Sequence, residues 1–269
     1  MAMVLGMLSA LARVRITVGY ATALSTVSTA LFILGPQVQH QVIRHASTNL
    51  HNLAHGHVGT LLGSAFVIDE GPFYVWLPGL VCLLALAELI WHSGRMAVVF
   101  VVGHIGTTLL VAAGLLAAVE FGWLPLSISH ASDVGMSYGA VAVLGALTAA
   151  VPQRWRLAWI GWWLSVGVAV AAVGGEFTDA GHSIALVLGM LVATRLGKPA
   201  HWTPVRYGLL TVAAAFGFLM LAHTGLSTLA AVALGSVGAL AAHGIARLQV
   251  MRRSPAAATL ATPQPAMSS

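Results

Sequence analysis

The chain has 269 residues, of which 58% are hydrophobic and only 7% are charged. A soluble globular domain carries about 25% charged residues, so this composition excludes a soluble fold. The net charge of +5 does not indicate nucleic-acid binding, because the basic residues are scattered over several short segments. With one cysteine, Cys82, the chain cannot form an intramolecular disulfide.

Apolar runs that are long enough to cross a bilayer recur along the chain, since one helical span needs roughly 20 predominantly apolar residues. The predicted spans are 16–35, 73–91, 96–119, 133–151, 157–174, 181–194, 207–222 and 226–246. Runs such as Leu77 to Leu89 lack the alternation of a barrel strand, and helices are the other solution for a backbone in lipid. The sequence therefore predicts an all-α, polytopic transmembrane bundle of about eight spans in the lipid bilayer.

The basic residues predict how the chain is oriented, because Lys and Arg accumulate in short cytoplasmic loops. With a cytoplasmic N-terminus, the outer loops hold Arg44 as their one basic residue. The cytoplasmic segments then hold Arg13, Arg15, Arg95, Arg154, Arg156, Arg195, Lys198, Arg206, Arg247, Arg252 and Arg253. We expect a multi-pass protein of the plasma membrane with both termini in the cytoplasm. Residues 251–269, rich in Pro, Ala, Ser and Thr, are predicted to form a disordered tail.

The predicted first loop, residues 36–72, is rich in histidine. Its histidines are His40, His45, His51, His55 and His57. Histidines spaced as His51 and His55 would share one helix face and can bind zinc or copper. The alternative interpretation is a membrane-surface loop with a short amphipathic helix, which Asn49 and Asn52 would cap. The surface loop is preferred and no cofactor is predicted, with His51, His55 and His57 kept as candidate metal ligands.

A serine and a histidine are the strongest candidates for chemistry. Ser137 follows Asp133 by four residues, and His182 follows Asp179 by three, where each acid marks the expected outer boundary of a span. At 1.5 Å per helical residue, the two side chains would lie about 6 Å and about 5 Å below that boundary. Serine becomes a good nucleophile when a base takes its proton, and neutral imidazole suits that role near pH 7. The pattern predicts a Ser-His dyad at one level of the membrane.

Glycines flank this serine closely. Gly135 and Gly139 stand two residues before and after Ser137, and small residues allow helix backbones to approach closely in lipid. The segment Gly135-Met136-Ser137 resembles the G-x-S-G nucleophile motif that rhomboid intramembrane serine proteases carry in their fourth helix.

Three further segments resemble rhomboid sequences. His182 with Ala185 and Gly189 is similar to the histidine motif of the sixth rhomboid helix. The run Leu61–Phe66 resembles the L-L-T-S-A-F stretch of their first loop, and Glu88 resembles the acidic end of their second helix. The resemblance covers roughly residues 10–200 and looks strongest toward the actinobacterial rhomboid-like membrane proteins.

The resemblance implies a six-helix rhomboid-like core in residues 1–200, followed by two additional transmembrane helices in 201–250. It also implies hydrolysis of transmembrane protein substrates by Ser137 and His182. The sequence departs from the family pattern at Tyr138, where rhomboids have glycine, and it lacks their second-helix His and Asn near Tyr74. The Tyr74 hydroxyl, backbone amides near Ser137 or an imidazole from the first loop are the expected substitutes, with Gly135, Tyr138 and Gly139 as packing support.

Two other functions remain open from the sequence. A catalytically inactive rhomboid-like protein would use the same fold to bind membrane clients, and the missing oxyanion residues favour this alternative. A metal-handling protein would use the histidine-rich loop. The sequence leaves the oligomeric state undetermined.

Overall fold

A computed structural model describes residues 11–69, 73–197 and 201–253 of the chain. These residues form helices and no strand, which confirms the predicted all-α class. Of the tail predicted for residues 251–269, residues 251–253 belong to the last helix, and residues 254–269 lie outside the described residues. The α-helices are α1 Arg15–Leu34, α2 Pro36–Ala46, α3 Leu50–Ala54, α4 Thr60–Gly63, α5 Phe73–Glu120, α6 Ser137–Ala146, α7 Gln153–Val173, α8 Phe177–Ala193, α9 Pro204–Leu221 and α10 Gly225–Arg253. Short 3-10 helices cover Ser64–Phe66, Leu126–His130 and Leu147–Ala149.

Several of these helices are suited to a bilayer. In the described ranges, α1, α5, α7, α9 and the Gly225–Gln249 part of α10 are long and apolar enough to cross a membrane. The helix α6 with its 3-10 extension, and α8, are shorter and also apolar. The architecture is that of a polytopic helical membrane bundle.

The second and third predicted spans are the two halves of α5. The helix is broken at His92, whose backbone has φ 67° and ψ 161°, so the chain changes direction without an intervening loop. We call residues 73–91 α5N and residues 93–120 α5C. Glu88 of α5N accepts hydrogen bonds from the backbone N–H groups of Ile16 and Thr17 at 3.0 and 2.9 Å. This carboxylate thereby caps the first turn of α1 and fixes α1 against α5N.

The first loop contains more structure than predicted. It forms three helices, α2, α3 and α4, where the sequence predicts one short amphipathic helix. The expected cap is present at Asn49, whose side-chain oxygen accepts from the N–H of Asn52 at 2.9 Å. Asn52 does not cap α3; its side-chain amide donates to the carbonyls of Arg44 and Ser47, each at 2.8 Å, just where α2 ends.

The helix α6 forms the centre of the bundle. Its residues from Tyr138 to Ala146 are all buried. Glycines allow the neighbouring backbones to lie against it: a Cβ atom added at Gly189 of α8 would overlap the carbonyl oxygen of Ala142, and one at Gly103 of α5C would overlap the Ala142 side chain. Close backbone approach of this kind is how helices associate in lipid.

The last two helices pack directly on this core. Phe216 of α9 lies against Gly79 of α5N, where a Cβ atom would come within 2.5 Å of its ring. The helix α10 lies along α7, and the backbones meet at Gly161 and Gly238, neither of which has room for a side chain.

Because Gly189 faces backbone atoms, Gly189→Ala is expected to lower the free energy of unfolding by about 1–3 kcal/mol through overpacking. The measurement is the melting temperature in detergent. Gly114→Ala is the matched control, since Gly114 is also within a helix and has open space around it. Equal melting temperatures for the two variants would contradict the close approach of α8 and α6.

Candidate functional site

Ser137 begins α6 because the segment before it is tied to the first loop. Gly135 has φ 130°, a conformation that favours glycine, and its N–H donates to the carbonyl of Ser64 at 2.9 Å. The N–H of Asp133 donates to Ser47 Oγ at 2.8 Å. The helix predicted to start at residue 133 therefore starts at Ser137, and the continuous helix from Asp133 on which the depth of about 6 Å was calculated is absent.

Thr48 makes a second tie to the same segment. Its N–H and its hydroxyl both donate to the carbonyl of Asp133 at 3.0 Å, and the hydroxyl lies 3.3 Å from the Asp133 carboxylate. Burial raises the pKa of the Asp133 carboxyl to about 6, and the Thr48 hydrogen bond only partly offsets this effect.

The first loop is itself anchored by a buried serine and histidine. Ser64 Oγ and His104 Nε2 are hydrogen-bonded at 3.0 Å, and both residues are buried. Since the Ser64 carbonyl accepts from the N–H of Gly135, the bond from Ser64 to His104 of α5C helps to hold the segment that presents Ser137. Neither Ser64 nor His104 lines the cavity around Ser137, so this pair positions the segment and does not act in the cavity.

His182 lies in the second turn of α8 and is 8% exposed. Both of its ring nitrogens are buried and have no hydrogen-bond partner among the described residues. The ring meets the edge of Tyr138, with 5.5 Å between the ring centroids. Tyr138 in turn occupies the space over Gly181, where a side chain would overlap it. Tyr138 thus supports His182 by packing.

Ser137 and His182 line one cavity of about 300 Å³. The wall combines apolar side chains with polar ones. The other polar or charged lining residues include Asp69, Ser132, Asp133, Glu176, Thr178 and His223. No hydrogen bond joins Ser137 to His182, since neither nitrogen of the imidazole has a partner in the described part of the chain.

The remaining predicted site residues have different positions. Gly135 supplies the turn before Ser137, and Gly139 makes room for the ring of Phe100. Tyr74 does not line the cavity; its side chain is 67% exposed and borders a separate hollow beside Phe32. The structure therefore gives no support to Tyr74 as an oxyanion donor, because its side chain lies outside the cavity that Ser137 lines.

The histidines of the first loop only partly come together. The ring centroid of His51 is 4.3 Å from that of His55 and 4.5 Å from that of His130, which the sequence did not associate with this loop. Desolvation and the proximity of His55 and His130 lower the pKa of His51. His57 is not stacked with these rings. Across residues 11–69, 73–197 and 201–253, no three His, Cys, Asp or Glu side chains are arranged to hold a metal ion.

His223 is the residue of this cavity that the sequence reasoning missed. It lies in the turn between α9 and α10, beyond the segments that resemble rhomboids. Its Nδ1 atom is 3.7 Å from Oδ1 of the buried Asp179. The sequence signal that could have found it is a histidine directly after the predicted span 207–222. The predicted topology places that end of the span on the same side of the membrane as Asp133 and Asp179.

The raised pKa of Asp133 predicts a pH-dependent stability. The native state holds this proton more tightly than the unfolded chain, whose carboxyl has the ordinary value of 3.8, so the carboxylate destabilises the fold as the pH rises from about 4 to about 6. Asp133→Asn removes the charge and keeps an acceptor for Thr48. We expect a higher melting temperature than wild type at pH 7 and no difference near pH 4.

Asp69→Asn is the control for this measurement, since Asp69 is an exposed carboxylate that lines the same cavity. Its melting curve is expected to follow that of wild type at both pH values. A lower melting temperature for Asp133→Asn than for wild type at pH 7 would contradict the costly burial of the Asp133 charge.

Comparison with known proteins agrees with the arrangement of these helices. A family model described as rhomboid-like protein matches residues 14–198, which include Ser137 and His182 and end before His223. No curated protein and no solved structure matches the chain. Because the match extends over more than half of its length, the chain belongs to the rhomboid-like protein family.

Proposed function

We propose that this protein is a membrane-embedded serine protease that cleaves other transmembrane proteins. The observation that carries the proposal is that Ser137, at the start of α6, and His182, with two unpartnered ring nitrogens, line one cavity. An unpartnered imidazole is free to accept a proton from a nucleophile that moves within reach. Catalytic hydrogen bonds are often long or poorly aligned before substrate binds, so a dyad does not require the bond in advance.

In the proposed reaction, Ser137 Oγ attacks the scissile carbonyl while His182 takes its proton. The same imidazole then donates that proton to the leaving amine, which completes acylation of the serine. The edge contact with Tyr138 limits the rotation of the imidazole, so the ring stays at the level of the cavity.

The first turn of α6 supplies the donors for the developing oxyanion. The first four N–H groups of a helix have no partner within the helix, and they lie at its positive end. Ser137 is the first residue of α6, so these groups surround the nucleophile. They replace the second-helix His and Asn of rhomboids, for which α5N has no counterpart. Loss of one oxyanion donor in a serine protease costs about 10²–10³ in rate.

The cavity suits a locally unwound polypeptide. Its apolar wall includes Trp76, Leu219 and Met220, and its volume is at the lower end of the range of ligand pockets, about 300–1,000 Å³. An intact transmembrane helix hides its carbonyl groups, so the substrate segment must unwind near its end before Ser137 can reach it. Within the rhomboid-like family, the sequence motifs favour the actinobacterial rhomboid-like membrane proteins as the subfamily of this chain.

Labelling with a fluorophosphonate probe tests this proposal, because such a probe reacts only with an activated serine. The purified wild-type protein is expected to be labelled, and Ser137→Ala is expected to lose the signal because the nucleophile is gone. His182→Gln is expected to lower the labelling rate about 10²-fold, the lower end of the effect of a lost base. The readout is in-gel fluorescence, and peptide mapping then locates the modified serine.

Ser129→Ala and His243→Gln are the matched controls, since Ser129 lies on the 3-10 helix before α6 and does not line the cavity, and His243 stacks on Trp155 away from it. Both are expected to label like wild type. Equal labelling of all five proteins would exclude Ser137 as the nucleophile. A folded wild type that stays unlabelled while an active rhomboid is labelled would favour the client-binding alternative.

The arrangement of charge supports a multi-pass protein of the plasma membrane with the cavity on the outer side and both termini in the cytoplasm. Carboxylates border the cavity, whereas basic residues such as Arg156 and Arg206 lie at the other ends of the helices, near the carbonyls of Ala149 and Leu89.

Cysteine accessibility tests this orientation. In a Cys82→Ala background, Leu126→Cys is expected to react with a membrane-impermeant maleimide in intact cells, while Gly197→Cys is expected to react only after permeabilisation. Both positions are exposed and lie outside the helices that are long enough to cross a membrane, so accessibility reports the side of the membrane. The reverse pattern would place the cavity on the cytoplasmic side.

A further inference from the structure

The turn between α9 and α10 brings a second histidine to the Ser137 cavity. His223 follows α9, which ends at Leu221, and it lines the cavity together with Ser137 and His182. The His223 side chain is 38% exposed, whereas His182 is buried. Of the two imidazoles, His223 is therefore the more accessible one.

A buried carboxylate faces this histidine. Asp179 is fully buried, and its Oδ2 atom accepts from the N–H of Glu176 at 3.1 Å in the capping box of α8. Its Oδ1 atom has no hydrogen-bond partner among the described residues and lies 3.7 Å from Nδ1 of His223. A buried charge is costly unless it is paired. His223 approaches Oδ1, the Asp179 oxygen that the helix cap does not use.

The position of Asp179 favours one of the two nitrogens of His223 as the one that carries the proton. A carboxylate beside Nδ1 favours the tautomer with hydrogen on Nδ1 and leaves the lone pair on Nε2. A base that is oriented by a third group is the usual arrangement in nucleophilic catalysis. His182 has no such partner among the described residues.

The turn that carries His223 is itself well defined. The N–H of Thr224 donates to Ser227 Oγ at 3.0 Å, and the N–H of Ser227 donates to Thr224 Oγ1 at 3.1 Å. The preceding helix adds Leu219 and Met220 to the cavity wall. All of these residues lie beyond residue 198, where the family match ends. The cavity is therefore incomplete without the hairpin that α9 and α10 form at the C-terminal end of the bundle.

We infer that His223 is the base for the hydrolytic step at this site, with Asp179 as its positioning residue. The inference rests on the proposed function and assigns acylation to His182 and deacylation to His223. A water oxygen forms a bond to the acyl carbon and gives its proton to His223 Nε2. The bond between that carbon and Ser137 Oγ then breaks, and the proton passes from His223 to Oγ, which restores the serine and the neutral imidazole.

The role of His223 can be measured separately from that of His182, because a base that activates water acts only after the serine is acylated. With 4-nitrophenyl acetate, wild-type protein in detergent is expected to release a Ser137-dependent burst of nitrophenolate and then turn over steadily. His223→Gln is expected to keep the burst and lower the steady rate about 10²-fold, the lower end of the usual effect of a general base. Asp179→Asn, which keeps an acceptor for the helix cap, is expected to lower the steady rate as well.

A second measurement reports on His223 without any hydrolysis. In a Cys82→Ala background, the alkylation rate of Ser137→Cys by iodoacetamide is followed against pH, because a nearby imidazolium stabilises a thiolate. Adding His223→Gln is expected to move the midpoint of this profile to higher pH. The other titratable residues of the cavity, which this variant keeps, are Asp69, Asp133, Tyr138, Glu176 and His182.

The outcomes distinguish this inference from the proposed function. If wild type shows a burst and His223→Gln changes neither the steady rate nor the alkylation profile, the inference about His223 is overturned and the proposed protease function stands. A fall of burst and steady rate in equal proportion, with a lowered melting temperature, assigns His223 a structural role and also overturns it. Absence of any Ser137-dependent burst in wild type overturns both. His243→Gln, on the same hairpin, is the control and is expected to match wild type throughout.

Discussion

The contact between the backbone of α6 and the backbones around it is the constraint on which the rest of the structure depends. Ala142 lies where α5C and α8 both approach closely, and each approach is possible only because glycine faces it, Gly103 on one side and Gly189 on the other. In lipid there is little hydrophobic gain from bringing helices together, so such packing has to supply the association. A short helix held in this way places its first residue, Ser137, inside the bundle.

The first loop converts this packing into a defined site. Its backbone and hydroxyl groups form hydrogen bonds with polar groups of the segment from Asp133 to Gly135. The buried Ser64–His104 hydrogen bond fixes the loop to α5C. Polar groups in an apolar surrounding are costly when unpaired, so these bonds favour one conformation of the segment. The start of α6, and with it the position of the Ser137 hydroxyl, follows from contacts made far away in the sequence.

The cavity combines two kinds of histidine. His182 belongs to the part of the chain that matches the rhomboid-like family, and it is buried without a polar partner. His223 comes from the hairpin of α9 and α10 outside that match, is partly exposed and faces the buried Asp179. The C-terminal helices are thus part of the cavity wall, and a division of proton transfer between the two imidazoles is what we propose for this arrangement.

The sequence by itself determined the all-α class, the approximate positions of the apolar helices and the pairing of Gly135 with Ser137 in a rhomboid-like motif, because helix periodicity, hydropathy and short motifs are local properties. Tertiary structure decided where α6 begins, since the hydrogen bonds of residues 133–135 go to the first loop, and it decided the break at His92. It also brought His223 to Asp179 and excluded Tyr74 from the cavity. Those features depend on which distant segments share one space, and no local pattern encodes that.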